Sequence, residues 1–158
     1  MSAYVIFDVE IRDPTRYQEF MKGVKATLPG VFTNDELKNR LLGVDPALTD
    51  FSYAPESYDA VVLIALAAEQ GKGTDGTTIR DNLASVSSGG TKCTTFAECK
   101  TLIAAGTDID YDGVSGAIEF DANGDPSVAT MGVYEYVAND KYEARAAEFI
   151  TGAVPAAE

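Results

Sequence analysis

The sequence predicts an α/β protein with helices packed on a small mixed sheet. Three observations carry this. Residues 3–11 alternate, with Val5, Phe7, Val9 and Ile11 on one face and Tyr4, Ile6, Asp8 and Glu10 on the other. Residues 13–106 hold a succession of capped segments with helical spacing, and from residue 114 the period returns to two. At 158 residues the chain has the size of one domain and can bury a core.

The elements follow in order. After the strand at 3–11, Asp13-Pro14 supplies an N-cap and a proline at the first helical position, and the helix runs to Lys25 until Leu28-Pro29-Gly30 ends it. Thr33-Asn34-Asp35-Glu36 reads as a capping box, with a short helix to Leu42 and Gly43 at its end. Asp45-Pro46 marks a turn. Ser57 caps a helix from Tyr58 to Gln70, stopped by Gly71, and its nine-residue apolar run (Ala60 to Ala68) predicts burial on more than one side. Asp75 opens a helix through Leu83, and residues 87–90 form a loop. Thr95-Phe96-Ala97-Glu98 is another capping box, starting a helix over Phe96–Ala105 with Gly106 just beyond it. Val114–Phe120 and Ala129–Val137 read as strands joined across Asn123-Gly124, a hairpin signal. A last short strand or helix follows Asp140, and residues 153–158 form a tail.

Charge and composition exclude several function classes. Twelve Lys and Arg face 25 Asp and Glu, a net charge of −13, which disfavours nucleic acid and anionic membrane surfaces as partners. The absence of histidine removes Ser-His and Cys-His dyads and the commonest transition-metal ligand. No nucleophile and base stand in a recognisable pattern, so a non-enzymatic protein without cofactor is expected. The N-terminus lacks a basic region followed by an apolar stretch, and as given reads as cytoplasmic rather than exported.

Cys93 and Cys99 flank the Thr95 capping box closely enough to be bridged, which would contribute about 2 kcal/mol in the chain-entropy picture. Two buried free thiols are the alternative, since pairing needs an oxidising compartment. Asp108, Asp110, Asp112, Gly113 and Glu119 match the spacing of a calcium loop. Ser115 at the eighth position, Gly116, and a following strand argue against it, so no metal site is expected.

Tyr53-Ala54-Pro55-Glu56-Ser57-Tyr58-Asp59-Ala60, the segment Lys92 to Cys99, and Asp112-Gly113-Val114-Ser115-Gly116 followed by Phe120-Asp121 together carry a resemblance. From about residue 30 to 152 the chain resembles the C-terminal third of branched-chain amino acid ABC transporter substrate-binding proteins, which have the type I periplasmic-binding-protein fold. Residues 4–11 with Asp13-Pro14, Tyr17 and Phe20 resemble the opening strand and helix of small dimeric ferredoxin-like domains of unknown function. The resemblances imply a strand-helix unit over 1–28, a solute-binding segment over 29–152 and a tail over 153–158, folded as one unit of partial periplasmic-binding-protein architecture. They imply an amino acid or small amide as ligand, Tyr53 as an aromatic bordering it, and ABC transporter membrane subunits as partners. A truncated grip on the ligand and an extracellular or periplasmic setting are also implied. The alternative is a structural domain that dimerises through its ferredoxin-like unit.

Overall fold

The computed structural model describes residues 12–21, 24–121, 124–136 and 142–154, so the strand expected over 3–11 lies outside the described residues. Helix α1 (Pro14–Met21) starts as its sequence predicts, with Asp13 Oδ1 accepting from Arg16 N at 3.0 Å. It does not reach Lys25. Lys25–Pro29 is instead strand β1, each residue paired antiparallel with one from Glu135 back to Met131. The ladder and the alternating burial along β1 override the local helical spacing. β1 also straddles the boundary expected at residue 28.

Helix α2 (Asp35–Val44) is capped by Asn34, whose side chain accepts from Leu37 N at 2.9 Å, rather than by Thr33. Thr33 is engaged elsewhere, its buried hydroxyl donating to Phe51 O at 2.9 Å. Gly43 lies inside the last turn, and Asp45 closes the helix while its Oδ1 accepts from Ala47 N in the expected turn. Helix α3 (Ala54–Gly71) begins before Ser57: Tyr53 is the N-cap in left-handed conformation (φ 59°), and Ser57 N already donates to Tyr53 O at 2.9 Å. At the other end Lys72, not Gly71, takes the left-handed conformation (φ 55°). Gly71 serves packing, because a Cβ there would collide with Thr78 and come within 2.6 Å of Asn82 Nδ2 on the next helix. That helix, α4 (Gly76–Leu83), has the expected Asp75 cap, Oδ1 accepting from Thr77 N and Thr78 N at 3.1 Å. Helix α5 (Phe96–Ala104) has the Thr95 cap, but the Glu98 carboxylate reaches back to Thr94 N at 3.0 Å. Gly106 beyond it is left-handed (φ 75°).

The strands among the described residues form two three-stranded sheets. β2 (Thr91–Cys93), β3 (Ile109–Gly113) and β4 (Gly116–Ala117) make a mixed one, β2 and β3 parallel, β3 and β4 antiparallel. β5 (Val128–Tyr136) lies between β1 and the long β6 (Tyr142–Ala153), all antiparallel. The strand expected over 114–120 is thus mostly displaced: the chain strands earlier, turns at Val114-Ser115, and keeps only Gly116–Ala117. The hairpin before β5 narrows to one bridge, Phe120 with Pro126, and residues 122–123 of its turn lie outside the described residues. Val154 N donates to Ser127 O at 2.8 Å, holding the end of β6.

One face of α3 supplies Val62, Leu63, Leu66 and Ala67 to the core, against Val86, Ile109 and Tyr111. The opposite face is open: Val61 is 67% and Ile64 47% exposed, so this helix is buried on one side only. The apolar run misleads because helical turns carry consecutive residues to different faces, and β3, α4 and α5 cover just one of them. Cys93 and Cys99 form a buried disulfide, with Cα atoms 5.4 Å apart, joining β2 to α5.

Candidate ligand-binding cleft

The first two turns of α3 face the β1–β5–β6 sheet across a cleft of about 440 Å³, roofed by β4 and its continuation to Phe120. Its chemistry begins with two carboxylates three residues apart on α3, hence on one helical face. Asp59 is fully buried. Its Oδ1 accepts from Tyr111 OH at 2.7 Å and Val114 N at 3.1 Å, and its Oδ2 from Ser115 N at 2.6 Å and Ser115 Oγ at 2.5 Å. Those bonds explain the turn at Val114-Ser115, which cannot continue a strand while both amides point at one carboxylate. Gly113 is required beside it, since a Cβ there would overlap the Asp59 carboxylate. Burial, and then the bond to Asp59, push the Tyr111 phenol above its ordinary pKa.

Glu56 faces the other connection. Its Oε1 accepts from Val31 N at 2.7 Å. Gly30 turns left-handed beneath it (φ 107°), and a Cβ on Gly30 would lie 2.8 Å from Oε1. Glu56 Oε2 is buried without a hydrogen-bond partner among the described residues. The remaining wall is largely apolar, with Leu63, Ile118, Phe120 and Val128, and its hydroxyls include Thr130, whose Oγ1 lies 2.7 Å from Thr151 Oγ1. Glu119 also lines it; no Lys or Arg does among the described residues.

Tyr53 stands three residues before Glu56 at the α3 N-cap, 47% exposed, and is not among the residues lining the cleft. In the acidic stretch at 108–119, Ile109–Gly113 is strand β3, and Lys92 on β2 holds Asp110 Oδ2 at 2.8 Å and Asp112 Oδ2 at 2.9 Å. Those hydrogen bonds, to Asp110 first and then to Asp112, raise the Lys92 ammonium above its usual range. Sequence reasoning assigned no role to Glu56 or Asp59. The one available signal was an acid at position 59 directly before an apolar run.

Residues 2–139 match the family model described as Receptor family ligand binding region. The chain belongs to that family. Its members are ligand-binding modules of the type I periplasmic-binding-protein kind, in general not enzymes. The family match begins at residue 2, so it takes in the N-terminal segment that resembles ferredoxin-like domains. Comparison with curated proteins and with solved structures gives no match. Among the described residues, no helix of this receptor-family module is long and apolar enough to cross a membrane.

Proposed function

We propose that this receptor-family module binds a small solute of the amino-acid or small-amide class in the cleft between α3 and the β1–β5–β6 sheet, without converting it chemically. The carrying observation is the cleft itself. About 440 Å³ of largely apolar space, with a few polar groups fixed by backbone contacts, is the usual build of a small-molecule site. Family membership supports ligand binding, and the resemblance to branched-chain amino acid binding proteins supports the solute class. The same resemblance supports Tyr53 as an aromatic at the border of the site, and delivery of the solute to ABC transporter membrane subunits. The buried disulfide suits an extracellular or periplasmic setting.

Isothermal titration with leucine, isoleucine, valine and small amides tests the reading. Saturable heat at millimolar or lower ligand is expected, and its absence from every titration would remove solute binding as this chain's own activity.

A further inference from the structure

The wall of the cleft offers few side chains with a hydrogen to donate. Among the described lining residues these are the hydroxyls of Ser115, Thr130 and Thr151. Ser115 is committed, its Oγ donating to Asp59 Oδ2 at 2.5 Å. Thr130 and Thr151 stand directly opposite each other on β5 and β6, their Oγ1 atoms 2.7 Å apart. Thr130 is half-buried and Thr151 exposed, so a molecule in the cleft reaches both. Gly30 N donates to Thr130 O at 2.8 Å, which fixes this point of β5 beside the cleft. Both side chains are β-branched and therefore stiff on a strand. Val128, two residues back on β5 and also in the wall, has the same shape without the hydroxyl.

A threonine hydroxyl carries one proton to donate and two lone pairs to accept with. One proton is used between the two threonines, so the pair keeps one proton and free oxygen lone pairs. The hydroxyl that accepts within the pair donates more strongly outward, because chained hydrogen bonds polarise one another. A primary carboxamide is the complement of this arrangement: its carbonyl accepts the free proton, and its N–H donates to the other threonine oxygen. A carboxylate can only accept, and meets Glu119 in the wall with no Lys or Arg among the described lining residues. An ammonium can only donate, and leaves the hydroxyl proton unused. We infer that the Thr130–Thr151 hydroxyl pair is the specificity-determining contact of the cleft, and that it selects a neutral primary carboxamide on an apolar body. The inference rests on the cleft being a solute site, and narrows its solute class.

Titration calorimetry of the full chain at about pH 7 decides it with isovaleramide, isovalerate and isopentylamine, which share one branched body and differ in the head group. Isovaleramide is expected to bind about tenfold or more tighter than either ion, the range that two hydrogen bonds supply. Replacing both residues together, Thr130→Val with Thr151→Val, keeps the branched shape and removes both hydroxyls. That variant is expected to bind isovaleramide about tenfold more weakly and to leave the two ions within about twofold of their wild-type affinities. Near-UV circular dichroism checks the variant's fold; should it be lost, the wild-type ranking alone decides. Either ion binding as tightly as the amide, an amide affinity unmoved by the double substitution, or an equal loss for all three compounds overturns the hydroxyl assignment while leaving the cleft a solute site. Heat from none of the three removes the site and the assignment together.

Discussion

Asp59 is a charge taken out of water, which costs several kcal/mol unless hydrogen bonds replace the lost hydration. Here they come from a phenol, two amides and a hydroxyl, all on the segment 111–115. Asp59→Asn puts an NH₂ group where those donors point, and is expected to cost about 3 kcal/mol, read as a lower urea midpoint. An unchanged midpoint would mean the carboxylate is not what shapes the turn. Tyr111→Phe should cost about 1–2 kcal/mol at neutral pH by removing one donor. Its pH dependence has a definite sign. Below about pH 10 the phenol is protonated in both folded and unfolded chains. Above that the unfolded chain releases its proton while the folded chain, with this phenol pushed up, retains it. Stability therefore falls as pH rises, by up to about 1.4 kcal/mol per unit from this group. Urea melts between about pH 9 and 11 should show a shallower fall in Tyr111→Phe than in wild type, and parallel slopes would count against the linkage. Little of this was readable beforehand, because Asp59 meets its partners 52 to 56 positions away in sequence. A lone acid on an apolar helix otherwise reads as its solvated face.

The Cys93–Cys99 disulfide fastens the three-residue strand β2 to the first turn of α5. Reduction should cost about 2 kcal/mol and lower the thermal midpoint by about 4–8 °C in a chain of this length. Melts with and without a phosphine reductant check this, and coincident curves would make the bridge energetically idle. The elements most legible in the sequence were those fixed by neighbours within four residues. Asp75 and Thr95 cap as their types predict, and Asp13-Pro14 opens α1. Boundaries moved where a distant contact intervened: Thr33 is diverted to Phe51, and Lys25 is drawn into a ladder with Glu135. β3 was hidden because Asp108 to Asp112 looks like a solvated loop until Lys92 arrives from the adjacent parallel strand. β6 gave no clear alternation, and its pairing with β5 places it instead.

Across the whole molecule, a net charge of −13 with a pI near 4.2 keeps copies apart at neutral pH. Exposed apolar side chains remain on several elements, with Phe20 at 72%, Ile150 at 69% and Val61 at 67%. Light scattering at micromolar protein should therefore show association growing as pH falls from 7 towards about 4.2, where repulsion vanishes. A clean monomer at pH 7 would count against the dimeric structural role as an alternative to solute binding. The two carboxylates of α3 have one more consequence. Glu56 holds the connection that leaves β1, and Asp59 holds the turn from which the chain departs towards β5. One helical turn of α3 thus ties together two segments far apart in sequence, the connection at Val31 and the turn at Val114-Ser115, so a substitution at either carboxylate loosens one end of the chain that carries the antiparallel sheet.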